Sequence, residues 1–91
     1  MKVVWKYEFE IEDEIEIKMP VGAKILKVTT QNGNPVLYAL TDDDFYRVES
    51  RQFRLLGTGH KINVYPGEYI GTFMIRNERL VFHLFEKKHS D

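Results

Sequence analysis

The sequence predicts an all-β domain, a single small antiparallel β-sandwich or barrel of about seven strands. Three observations carry that reading: large apolar residues alternate with polar ones, turn signals recur at short intervals, and no segment keeps a sound helical stripe. From Val3 every second residue is large and apolar through Trp5, Tyr7, Phe9 and Ile11, with Lys6, Glu8, Glu10 and Glu12 between them. Only an extended strand puts those two sets on opposite faces. Trp5, Tyr7 and Phe9 are therefore expected in the core, and the glutamates on a charged solvent face that guards an edge.

The same beat returns at Ile15, Ile17 and Met19, set against Glu14, Glu16 and Lys18. Asp13 marks the join, so the first two strands are expected to form a hairpin. Pro20 and Gly22 then punctuate the chain. A third strand is expected over residues 23–30, with Leu26 and Val28 on one side and Ile25 on the other. Asn32-Gly33 supplies the positive φ angles of a hairpin turn, and Pro35 limits pairing at the start of the next strand. That fourth strand, residues 36–40, is nearly all apolar, as in a strand covered on both faces.

Residues 42–56 read less cleanly. Asp42, Asp43 or Asp44 would cap a helix ending near Gly57, but Gln52 would then fall on its buried stripe. Phe53 and Leu55 alternate with Gln52 and Arg54, so a strand fits better, with residues 43–50 as a loop or a short preceding strand. Gly57-Thr58-Gly59-His60 is a glycine-rich loop and Tyr65-Pro66-Gly67-Glu68 a turn. A last hairpin pairs residues 69–75 with 80–86 across Arg76-Asn77-Glu78-Arg79. The expectation is one β domain over residues 1–88, with 89–91 as a frayed polar tail.

Composition narrows function mainly by exclusion. The 91 residues hold no cysteine, which removes disulfides, thiolate chemistry and cysteine-ligated zinc. Thirteen basic and fourteen acidic side chains give a formal charge of −1. Nucleic acid is disfavoured as a partner, because phosphate neutralisation needs a basic excess. The opening Met1–Lys2–Val3–Val4 lacks the apolar run of a signal peptide, and no stretch has the length of a membrane span. The expected location is the cytoplasm, with no membrane partner.

Catalytic groups are scarce. Ser50 and Ser90 lie in no nucleophile-elbow context, His89 sits in the tail, and His83 is expected to face solvent or a polar neighbour. His60 is the one general-base candidate, the basis for a small hydrolase as a third reading. Asp42-Asp43-Asp44 with Glu49 lacks the spaced ligands of a calcium loop, so neither a metal nor a cofactor is expected.

The segment most like a site is 47–61. Arg47, Arg51, Arg54, His60 and Lys61 face a single acid there, Glu49, and Gly57, Thr58 and Gly59 offer a backbone concavity for an anion. Residues 1–16, by contrast, hold six acids against Lys2 and Lys6. Such segregation either stabilises one domain internally or lets identical copies dock acidic face to basic face, and a homo-oligomer is the expectation.

Several segments together resemble a known family. They are Trp5-Lys6, Met19-Pro20-Val21-Gly22-Ala23-Lys24-Ile25-Leu26, Gln31-Asn32-Gly33-Asn34-Pro35, and Phe53-Arg54-Leu55-Leu56 running into Gly57-Thr58-Gly59-His60. Tyr69-Ile70-Gly71-Thr72-Phe73 and the closing Leu80-Val81-Phe82-His83-Leu84-Phe85-Glu86 complete the match. The resemblance is to small proteins of unassigned function found widely in bacteriophages and prophages. A proline commonly follows the loop histidine in that family, where this chain has Lys61. The resemblance implies an accessory role in a bacterial host cytoplasm and brings no catalytic residue. The leading expectation is a non-enzymatic protein that binds a host protein or a small anionic, nucleotide-like ligand, with the countering of host defence as one role. The alternative is a structural or assembly module of a virion or larger complex.

Overall fold

The computed structural model describes residues 1–43 and 47–88. Asp44 of the acidic turn and the 89–91 tail, with His89 and Ser90, lie outside the described residues. Seven strands form two antiparallel sheets: β1 (Lys2–Glu8), β2 (Glu14–Pro20), β3 (Lys24–Gln31), β4 (Asn34–Asp42), β5 (Val48–Gly57), β6 (Glu68–Ile75) and β7 (Leu80–Glu86). One sheet has the order β1-β4-β3 and the other β2-β5-β7-β6. The all-β expectation and the strand number hold. No helix of the described residues is long and apolar enough to cross a membrane.

The two hairpins with the clearest local chemistry form as expected. Asn32 and Gly33 both take positive φ, 52° and 81°, and close β3 on β4 with Gln31 opposite Asn34. Pro35 is itself aligned with Thr30 inside β4. Its carbonyl accepts from Phe9 N at 3.3 Å, but it has no N–H to return, and the β1–β4 ladder stops at Glu8 opposite Val36. β6 and β7 pair across Arg76–Arg79, as the alternation predicts.

Other expectations are corrected. β1 and β2 are not a hairpin: β1 pairs with β4, and β2 pairs with β5 in the other sheet. Phe9 still packs against the core, and exposed Glu10, Ile11, Glu12 and Asp13 then carry the chain across. Alternation specifies which face of a strand is buried, not which strand lies beside it. In β3 a bulge between Ile25 and Lys27 shifts the alternation by one residue. Ile25 therefore shares the inward face with Val28, while Leu26 is 47% exposed. Trp5 is not core but 45% exposed, because β1 is the outer strand of its sheet; only Tyr7 and Phe9 of that stripe pack inward. Finally, Val48–Gly57 is one continuous ten-residue strand, so residues 48–50 are neither loop nor a separate strand.

The sheets share one apolar core. Ile15, Ile17 and Met19 of β2 join Phe53 and Leu55 of β5, Phe73 of β6 and Leu84 of β7; Val28, Leu37 and Ala39 come from the other sheet. Phe53 is fully buried, worth about 3 kcal/mol by area. The ring of Phe9 meets that of Phe73 edge-on at 6.0 Å. The sheets approach most closely along β3 and β6. Gly71 permits this, since a Cβ there would lie 2.8 Å from Val28 Cγ1.

Candidate functional site

β5 carries the expected arginines, and its pleat separates them. Arg51 lies opposite Ile17 and shares the inward face with Phe53 and Leu55. Arg54, three residues on, is on the opposite face, aligned with Glu14 and Phe85. Arg51 donates from Nε and Nη2 to both carboxylate oxygens of Glu86, at 2.5 and 3.0 Å, and from Nη1 to Ala23 O at 2.8 Å. Glu49 lies 3.8 Å away. The Glu86 hydrogen bond holds the guanidinium above its ordinary pKa, against the opposing effect of burial. Arg54 is spent as well, donating to Glu14 at 3.3 Å and to Tyr65 O at 3.1 Å. Arg47 precedes the strand, and its backbone carbonyl accepts from Val21 N. The three arginines do not converge on one anion.

The glycine turn does line a cavity. Thr58 N donates to Val81 O at 3.1 Å and His60 N to Gly57 O at 3.0 Å, while Gly59 takes φ 88°. These bonds fix the turn against β7. The imidazole of His60 covers Gly57, where a Cβ would meet the ring at 2.8 Å. Gly57, Thr58 and His60 line a cleft of about 180 Å³ with Arg79, Leu80, Val81 and Phe82. Arg79 makes no side-chain hydrogen bond or ion pair among the described residues. A second cleft, about 450 Å³, is lined by Arg54, His60 and Lys61 with Asp13, Glu14 and the apolar Leu55, Leu56 and Ile62. His60 borders both clefts. Of the eight residues expected at the site, six belong to this turn and its two clefts; Arg47 and Arg51 line neither.

Sequence reasoning missed two features here. Arg79 is brought to the turn by the register that sets Gly57 opposite Phe82. Beside it, His83 faces outward, as expected of a polar-neighboured histidine, and is held at both nitrogens. Thr58 Oγ1 lies 2.8 Å from its Nε2 and Thr72 Oγ1 2.9 Å from its Nδ1. Tyr69 Oη extends the row, 2.6 Å from Thr72 Oγ1. The only local signal was the Thr58-Gly59 pair; the partners come from the turn after β5 and from β6. Among the described residues no group of three His, Asp or Glu side chains could hold a metal ion.

Fold and site thus define a two-sheet β protein with a glycine turn and, at one cleft, an arginine unpaired among the described residues. The whole chain, residues 1–91, matches the family described as Domain of unknown function (DUF7352), and the chain belongs to that family. Neither a curated protein nor a solved structure matches it.

Proposed function

We propose that the chain is a non-enzymatic accessory protein of phage type that acts in the host cytoplasm by binding a small anionic, nucleotide-like ligand. The observation that carries this reading is Arg79. Its side chain makes no hydrogen bond or ion pair among the described residues and lines the cleft beside the His60 imidazole. A planar fork with free donors recognises phosphate or carboxylate oxygens in pairs. The volume of about 180 Å³ suits one such group rather than a whole nucleotide. The ligand body extends past His60 into the larger cleft, against Leu56 and Ile62, with Lys61 at its rim. The likeness to phage-encoded proteins supports an accessory setting, with a host signal as the class of target.

His60 as a hydrolytic base has less support. Its ring covers Gly57 and has no hydrogen-bonded hydroxyl, whereas the histidine bonded to hydroxyls is His83.

The test is an amide-shift titration with inorganic phosphate, a nucleoside monophosphate and the neutral nucleoside. Binding shifts residues 57–61 and 80–82, and the neutral nucleoside binds weakest. Arg79→Ala lowers phosphate affinity by about tenfold or more. Equal affinity of wild type and Arg79→Ala, or no shift with any anion, overturns the reading.

A further inference from the structure

Apart from the anion cleft, two surfaces of the chain match one another in chemistry. The first is the β3 bulge. It presents Leu26 at 47% exposure, with Lys24 and Lys27 on either side in sequence. Neither lysine has a hydrogen-bond or ion-pair partner among the described residues. An exposed leucine framed by two unspent cations is unusual on a bulge, which commonly serves to turn an edge away from others. The second surface is a cleft of about 370 Å³ at the far end of β1, lined by Glu8, Phe9, Glu10, Ile11, Pro35 and Ile75. Its lining sets apolar Phe9, Ile11 and Ile75 beside acidic side chains that are nearly free. Among the described residues Glu10 has no ion pair, and Glu8 reaches only Lys6 at 3.9 Å.

Within one molecule the two surfaces do not meet: among the described residues no hydrogen bond or ion pair joins Lys24 or Lys27 to Glu8 or Glu10. The bulge lies beside Ala39 and Tyr38 of β4, whereas the cleft is at the Gly33–Asn34–Pro35 end of that strand, beyond Glu8. β4 lies between the strands that carry them, β3 and β1.

We infer that the chain self-associates head to tail, the Leu26 bulge of one copy seating in the Glu8–Glu10 cleft of the next. Leu26 packs on the apolar side chains of the cleft, Phe9 and Ile11, and Lys24 and Lys27 meet Glu8 and Glu10. The occupant is a second copy because this one chain carries both halves of the match, apolar to apolar and cation to carboxylate. The basic half is thus the lysines of β3, not the arginines of residues 47–61, which are spent within the fold or lie elsewhere. Since donor and acceptor patches differ, the contact is heterologous, and copies close into a ring or extend as a filament. The inference is independent of the anion cleft, which shares none of these residues.

Sedimentation of the full chain tests it. In low salt the weight-average mass of the wild type rises with concentration, and added salt reverses the rise. Leu26→Ser, at an exposed position, weakens association by about tenfold or more. Lys24→Glu/Lys27→Glu alone and Glu8→Lys/Glu10→Lys alone each sediment as monomers. An equimolar mixture of those two variants associates again, because each reversed patch finds its complement on the other protein. A wild type that stays monomeric at millimolar concentration overturns the inference. So does association that survives both reversals, or a mixture that behaves as the sum of its parts.

Discussion

Arg51 and Glu86 form a two-pronged ion pair on the inward face of the four-stranded sheet, with side chains only 15% and 18% exposed. The pair closes one end of the apolar core, and Arg51 also ties β5 to the turn before β3 through Ala23 O. Removing one member leaves a charge with little access to water. Arg51→Met alone is expected to cost about 2–4 kcal/mol in chemical denaturation. The double variant Arg51→Met/Glu86→Leu should recover most of that loss, since the paired charges gain little over a well-packed apolar pair. A double variant less stable than either single one contradicts this account. The phosphate response of residues 57–61 should survive, because Arg51 does not line that cleft.

Gly71 sets the distance between the sheets. Its backbone conformation is ordinary, so the obstacle to a side chain is steric: the added Cβ meets Val28 Cγ1. Gly71→Ala should destabilise the fold by about 1–3 kcal/mol, measured as a lowered denaturation midpoint. Val28→Ala in the same chain removes the obstructing methyl, so the second Ala should cost less in that background than in the wild type. Additive effects would show that the contact between β3 and β6 is not what excludes a side chain.

Glu14 sets an acid limb of the stability curve. Its carboxyl accepts from Lys87 at 2.9 Å and from Arg54 at 3.3 Å. The Lys87 hydrogen bond foremost holds it below its ordinary value of 4.5 against burial, the next effect in size, with the charges of Lys87 and Arg54 adding to the lowering. A carboxyl whose pKa is lower folded than unfolded favours the fold at pH above its unfolded value, and that stabilisation disappears as pH falls through the folded value. Because Glu14 is more than half exposed, the contribution is well under about 1 kcal/mol. Denaturation midpoints should fall as pH drops below 4.5, and fall less in Glu14→Gln. Some slope will remain, since Ser50 and Gln52 lower Glu16 in the same direction. Parallel curves for the two proteins would remove Glu14 from the acid limb.

Much of the fold was legible because its signals are local. Asn32-Gly33 can turn a chain without help from distant residues, and the alternation through β2 names its buried face. The pairing of β1 was not legible. Its stripe would suit several neighbours, and β4 wins by burying Leu37 and Ala39 between two flanking strands. Nor was the phase of β3, since one unpaired residue at the Ile25–Lys27 bulge reverses every face upstream of it.

The candidate site divides in the same way. The separation of Arg51 from Arg54 follows from strand parity alone once the segment is read as a strand, because residues three apart point to opposite faces. Arg79 is different. It stands more than twenty residues from Thr58, and only the β5–β7 register brings the two to one cleft.

By itself, then, the sequence determined that the chain is all β, which faces of its strands are apolar, and that residues 57–60 turn on glycine. Those properties are carried by periodicity and backbone sterics within a few residues. Tertiary structure alone decided which charges cancel and which stay free. It placed Glu86 on Arg51 and Glu14 on Arg54, and left Arg79, Lys24 and Lys27 without partners among the described residues. The physical reason is that a charge is neutralised by whatever lies within a few ångströms in space, and strand pairing across the chain sets that neighbour.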